Sequence, residues 1–232
     1  MGVHAPGLGS MQTAQVRTFT SLLQAPMILT ENERDPWWTL LLFFNSLREL
    51  GTTLSLLQSD IPDYQKVLVN RLANEDKNWR RFWGIKELTG RAKNEDIPKA
   101  LASLEVNFPN KKPYPIDVCL ASSILEVGVD IDRLSLMSVI GQPKTTSQYI
   151  QVTGRVGRSW WERPGLVVTI YSASKPRDRS HFEKFRTYHE KLYSQVEPTS
   201  VTPFSPPALD RALHAVIAVS YTHLTLPTTP YV

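Results

Sequence analysis

Residues 116–158 read IDVCLASSILEVGVDIDRLSLMSVIGQPKTTSQYIQVTGRVGR, and the pattern in this stretch decides the fold. Two short runs rich in branched residues, Ile116–Ala121 and Leu134–Ile140, are predicted strands separated by a glycine-bearing turn. Thr145 with Gln148 three positions later is a capping-box pattern that opens a predicted helix through Val152. Working outward, the unbroken apolar run within Thr39–Phe44 predicts a strand buried on both faces, followed by helix-forming Asn45–Gly51. Ile85–Thr89 predicts a further short strand, and Glu95–Leu104 a helix with Asp96 as candidate cap and Pro98 in its first turn. Leu166–Tyr171 predicts a fifth strand. Phe182, Phe185, Leu192 and Val196 fall near one face of a last helix, with Ser180 and Glu183 spaced as its capping box. Buried strands alternating with helices predict an α/β fold: a mostly parallel sheet sandwiched by helices, with ligands beyond the carboxyl ends of the strands.

Residues 1–36, with prolines at 6, 26 and 36 and no sustained period, read as a linker or joining segment. The main domain is expected over 37–200, with the amphipathic stretch 54–83 as a helical insertion, and 201–218 begins a following segment. Residues 219–232 resemble the translation of a sequencing-library adapter and are set aside as read-through; a strand ending at Pro227 is the alternative.

The 232-residue chain has 41% hydrophobic and 21% charged residues, an ordinary globular composition. Its net charge of +4 and pI of about 9.2 are mildly basic, which suits a polyanionic partner without requiring one. A single cysteine, Cys119, excludes an internal disulfide and fits a reducing, cytoplasmic setting. No apolar stretch approaches the ~20 residues of a membrane span, and no signal peptide or myristoylation signal is apparent, so no membrane partner is expected.

The chemistry is concentrated in Gln151-Val-Thr-Gly-Arg155-Val-Gly-Arg158. Two arginines three apart, separated by small residues, can aim two guanidinium groups at one anionic site, and guanidinium stays protonated and offers planar donors. A surface arginine pair at a helix end is the plain alternative for this motif alone. The segment resembles motif VI of superfamily 2 helicases, of the form QxxGRxGR. That resemblance implies a second RecA-like lobe, with Arg158 as arginine finger, Arg155 as a second phosphate contact, and Gln151 and Gly154 coupling the nucleotide to the lobe interface. Upstream, Ala121-Ser122 through Gly128-Val-Asp130 resembles motif V. It implies that Ser122 touches the nucleic-acid backbone, that Gly128 permits close main-chain approach, and that Asp130 orders the ATP-side network. Leu41–Arg48 resembles motif IV, and Glu87-Leu-Thr-Gly-Arg91 lies where the family has a nucleic-acid-contacting segment, which points to Thr89 and Arg91. LFFNSLRELG, GVDIDRL, the 141–158 segment and EPTSVTPFSP together resemble helicases of the bacterial DISARM antiphage system.

The resemblance implies ATP and Mg2+ held mainly by a first RecA-like lobe, because this chain has no GxxxxGK[ST] loop and no Asp-Glu pair in the motif II position. It implies nucleic acid, DNA more than RNA, the first lobe and defence-system proteins as partners. Two rival classes are a non-enzymatic nucleic-acid-binding or adaptor domain and a distinct α/β nucleotide enzyme; the latter lacks its own base, nucleophile or metal ligands. Other motifs are less informative. Lys77, Trp79, Arg80, Arg81, Phe82 and Trp83 interleave basic and aromatic residues, as a strand-binding surface or as packing. His181, Glu183 and His189 read as surface or packing residues, and Lys175–Arg179 as a basic loop.

Overall fold

A computed structural model describes residues 1–5, 9–71, 79–90, 95–122, 131–159, 161, 163–197 and 206–225. Gly128, Asp130, Arg91 and Lys77 lie outside the described residues. The chain divides into two compact units, Met1–Val196 and Glu197–Val232.

The first unit is built on a six-stranded sheet in the order β1-β6-β5-β2-β4-β3, with all five pairings parallel. The strands are β1 (Gly2–His4), β2 (Leu40–Phe44), β3 (Ile85–Leu88), β4 (Val118–Ala121), β5 (Leu136–Ile140) and β6 (Leu166–Tyr171). The helices are α1 (Met11–Gln24), α2 (Asp35–Trp38), α3 (Leu47–Gln58), α4 (Asp60–Arg71), α5 (Asp96–Leu104), α6 (Thr146–Thr153), α7 (Pro176–Glu183) and α8 (Phe185–Glu190). The expected mostly parallel, RecA-like α/β sheet is the observed architecture.

Every residue of β2 is buried, as its unbroken apolar run requires. The two-residue repeat of a strand then divides them between two cores. Leu40, Leu42 and Phe44 join Val118, Leu120, Leu136 and Ile170 beneath α1, α3 and α4. Leu41 and Phe43 join Cys119, Ala121, Met137 and Val139 against Ala100 and Leu104 of α5 and Val152 of α6. Complete burial pushes the Cys119 thiol up to about 12.

The amino-terminal linker expected over 1–36 is corrected: this segment belongs to the first unit. β1 extends the sheet beside β6, and α1 begins at Ser10, whose hydroxyl accepts from the Thr13 amide at 3.1 Å. The helical period was masked because α1 turns polar residues inward. Gln15, Thr20 and Gln24 are buried beside Ala14, Phe19 and Leu23. The Gln24 carboxamide oxygen accepts from Gln65 Nε2 and from the Arg80 amide, both at 3.3 Å.

The last helix is also corrected. Ser180 lies inside α7 rather than capping it, Glu183 pairs with Arg179 at 2.9 Å, and the helix breaks at Lys184 before α8. Pro176 starts α7 early, and this places Asp178 in the first turn, where it is pulled into the sheet. Val196, expected on the apolar face, is exposed. Asp96 occupies the first turn of α5 without capping it; the cap position is Glu95. In the second unit Pro206–Thr225 forms a helix, α9, which replaces the strand considered for that region.

Candidate functional site

The sequence-derived site residues fall at opposite edges of the sheet. The two arginines lie at the amino edge, whereas ligands are expected beyond the carboxyl ends of the strands.

The amino edge carries the two arginines. Helix α6 is anchored at its start by Thr145, whose hydroxyl accepts from the Gln148 amide at 3.1 Å, while Gln148 Oε1 accepts from the Lys144 amide at 3.0 Å. The glutamine thus reaches the residue preceding the cap, a variation on the expected box. Buried Tyr149 and Val152 hold the helix on the sheet. The Tyr149 hydroxyl meets His189 Nε2 at 3.0 Å and Thr169 Oγ1 at 3.4 Å, and burial raises its pKa. Gln151 is exposed on the outer face of α6.

After α6 the chain is clamped to the start of β5. The Gly154 amide donates to Ile150 O at 2.9 Å, the Arg155 amide to Val152 O at 3.1 Å, and the Gly157 amide to Leu134 O at 2.8 Å. Gly157 has φ of +67°, and a Cβ there would lie 2.4 Å from the Gly165 amide nitrogen. Only glycine satisfies both the left-handed conformation and this backbone-to-backbone approach. The result is a turn that runs from α6 back to the sheet with Arg155 and Arg158, both half-buried, on either side of buried Val156 and Gly157.

Two other arginines of this edge are consumed by structure. Arg80 and Asp117 form an ion pair of 2.8 Å with side chains 1% and 0% exposed. Arg80 also donates to Trp38 O at 2.7 Å and Leu23 O at 3.2 Å, and its guanidinium lies 3.8 Å from the centre of the Trp38 ring. Asp117 Oδ2 accepts from the amides of Trp83 and Gly84, each at 2.9 Å. The pair therefore ties together the chain leading into β2, β3 and β4. Burial lowers the Arg80 pKa, and the Asp117 charge opposes that shift. Arg133 donates to Leu104 O and Thr39 Oγ1, both at 2.7 Å, and pairs with Asp35 at 3.3 Å. Of the basic-aromatic run, Arg80 thus belongs to the core and Phe82 packs against it, while Trp83 is 77% exposed.

The carboxyl edge carries the residues linked by resemblance to nucleic acid. Ser122 directly follows β4, is buried, and its amide donates to Leu88 O at 3.2 Å. Thr89 follows β3, is buried, and its hydroxyl donates to Glu87 Oε1 at 3.0 Å. Asn45 Nδ2 donates to Ile140 O at 3.0 Å and Gly141 O at 3.1 Å, which joins the ends of β2 and β5. Asp178, buried in α7, accepts from the amides of Gln142 at 3.0 Å and Ser172 at 2.8 Å and so joins β5 to β6. Gly141 makes room for it: φ is +74° and a Cβ would lie 3.2 Å from Asp178 Oδ2. Arg48, Lys144 and Arg177 are exposed along the loops and helix starts that follow these strands, and Lys175 pairs with Glu49. Asp178 was missed by sequence reasoning, although an acidic residue two positions after a helix-starting proline was a usable signal. His181 and His189 make packing contacts with Tyr188, Tyr149 and Phe185.

Comparison with known proteins places this geometry in context. Residues 63–159 match the family described as helicase conserved C-terminal domain. The chain is 44% identical over 225 residues to DISARM protein DrmA of Bacillus paralicheniformis, covering 94% of this chain and 19% of that protein. It is 39% identical over 66 residues, 28% of this chain and 8% of the relative, to ATP-dependent helicase Lhr-Core of Methanocaldococcus jannaschii. The chain therefore spans about a fifth or less of the length of these curated relatives. Among solved structures, Mycobacterium smegmatis helicase Lhr bound to ssDNA and AMP-PNP superposes with a TM-score of 0.52 at 16% identity, over 92% of this chain and 23% of that one. S. cerevisiae Dbp5 bound to RNA and ADP BeF3 superposes with a TM-score of 0.50 at 13% identity, over 97% and 45%. These two likenesses concern the fold.

Proposed function

We propose that this chain, with its match to the helicase conserved C-terminal domain and its similarity to DISARM protein DrmA, is the second motor lobe of an ATP-dependent nucleic-acid helicase or translocase of superfamily 2. The observation that carries this reading is the glycine-locked turn after α6, in which the Gly157 amide bonds to Leu134 O at 2.8 Å and no other residue fits against Gly165. It presents Arg155 and Arg158 half-buried beside the start of β5. Partial burial strengthens the field of a charged group relative to water, and guanidinium groups offer planar paired donors, so the pair fits phosphate oxygens.

In this reading Arg158 acts as the arginine finger and Arg155 as a second phosphate contact, with Gln151 and Gly154 relaying the state of the site to α6. Asp130 and Gly128 complete that network. ATP bound between two lobes supplies the phosphoryl transfer, while the phosphate-binding loop and the Mg2+-binding carboxylates belong to the first lobe. Ser122, Thr89 and Arg91 form part of the strand track at the carboxyl edge, helped by the exposed cations there. Opening and closing of the lobes would move the strand by a hinge-type cycle. DNA is proposed over RNA on the strength of the antiphage kinship, which also suggests defence-system proteins as partners and a role in antiviral defence.

The test is ATP turnover, with and without single-stranded DNA, by this chain alone and by a two-lobed protein that includes a first lobe. Turnover confined to the two-lobed form and stimulated by DNA supports the motor. Its persistence after Arg158→Ala overturns the finger assignment, and absence of turnover from both proteins favours a binding or adaptor role.

A further inference from the structure

The basic-aromatic run at 79–83 is not used by the motor reading, yet it borders a groove of about 560 Å³ on the α3/α4 side of the sheet, beside the start of edge strand β3. The groove is lined by Leu57, Pro62, Phe82 and Ile85 at its apolar base and by Trp79, Trp83, Arg81 and Lys66 around it, with Gln58 and Gln65. It is distinct from both sites described above. Arg155 and Arg158 follow α6, which packs on the other face of the sheet, and Ser122 lies at the opposite edge.

The run alternates in direction between the core and solvent. Arg80 points inward to its ion pair with Asp117, and Phe82 packs against the core. The Trp83 amide is fixed by Asp117 Oδ2 at 2.9 Å, while its indole stays 77% exposed. Arg81 is exposed with its guanidinium 4.8 Å from the centre of the Trp79 ring. A long apolar side chain fixed in water by a fully buried ion pair gains nothing for folding from its exposure. Among the described residues no carboxylate lines the groove, although Asp63 pairs with Lys66 from outside it at 2.8 Å. Flat aromatic faces flanked by cations match an anionic polymer with exposed bases, since bases stack on aromatic side chains and the backbone is attracted by Arg and Lys.

We propose that this groove is an accessory binding site for single-stranded nucleic acid, with a base stacked on Trp83 and the adjoining phosphates held by Arg81 and Lys66. It rests on the reading of the protein as a nucleic-acid motor, and would engage the strand at a point remote from the track at the carboxyl edge.

The probe is a fluorescein-labelled oligothymidylate of about twenty nucleotides, titrated into this chain by anisotropy at several salt concentrations. Trp83→Ala is expected to weaken binding about tenfold, Trp83→Phe to restore most of the loss, and Arg81→Gln to reduce the salt slope by about one. Because Trp83 projects into solvent, the melting temperature should not move in these variants. Photocrosslinking of an iodouridine-substituted oligonucleotide should label Trp83 or a residue of the groove. Unchanged affinity and salt slope in the Trp83 and Arg81 variants would overturn the proposal. So would crosslinks confined to the carboxyl edge, or occupancy of the groove by another protein segment that excludes the oligonucleotide. None of these results touches the motor reading, which fails separately if a two-lobed protein shows no strand-stimulated ATP turnover.

Discussion

The two edges of the sheet use opposite materials to hold the same strands together. At the amino edge, arginines reach into the structure: Arg80 and Arg133 bridge the segments leading into β2, β3, β4 and β5 through carbonyls and the carboxylates of Asp117 and Asp35. At the carboxyl edge, short side chains bind backbone: Asn45 caps carbonyls of β5, and Asp178 collects the amides of Gln142 and Ser172. The long side chains at the carboxyl edge are left outside, where Arg48, Lys144 and Arg177 are exposed. An arginine therefore means different things at the two places. At the amino edge Arg80 and Arg133 are structural bridges, while the turn at the Gly157–Gly165 contact holds Arg155 and Arg158 half-buried at the rim. At the carboxyl edge an arginine is free to meet a partner.

The sharpest way to break this distinction is Arg158→Ala in a two-lobed protein. If the rim arginines serve chemistry, ATP turnover should fall by on the order of a thousandfold or more while the melting temperature holds. A drop in melting temperature with little change in turnover would make Arg158 another structural bridge. Next in size is Asp117→Ala, which leaves Arg80 buried with its charge uncompensated. Chemical denaturation should show a loss of about 3–5 kcal/mol, with a much smaller loss when both members are replaced by apolar residues of similar volume. Gly157→Ala should cost stability as well, because a methyl group 2.4 Å from the Gly165 nitrogen forces the turn apart. A circular-dichroism melt would register it, and turnover should fall with it.

The carboxyl edge predicts smaller effects. Asp178→Asn replaces a carboxylate that accepts two amides, and should cost about 1–3 kcal/mol in denaturant unfolding. Ser122→Ala should weaken single-strand binding by less than about tenfold without altering its salt dependence, since a neutral hydroxyl releases no counterions. Lys144→Gln should instead flatten the salt slope by about one if the exposed cations line the track.

Much of the fold was legible because its signals are local. Continuous apolar runs mark β2, β4, β5 and β6, and the Thr145 cap marks α6 within a residue. The failures share a cause. α1 buries three polar side chains, of which Gln15 and Gln24 find partners on α3, α4 and the 79–80 segment, so its inward face does not look apolar in sequence. The start of α7 at Pro176 sets Asp178 against two strand ends, a contact made with residues at positions 142 and 172. For the site, the QxxGRxGR spacing identified the arginines, and nothing in that spacing reveals which edge of the sheet would hold them.

Sequence alone determined the parallel α/β architecture, the arginine pair and the resemblance to superfamily 2 helicases, because strand runs, caps and glycine spacings are read over a few neighbouring residues. Tertiary structure decided which arginines are buried bridges and which stand at the rim, and which tryptophan faces water. Arg80 and Arg81 are adjacent and chemically alike. Asp117, 37 residues away, with the carbonyls of Leu23 and Trp38, makes one a core residue, while the other is exposed.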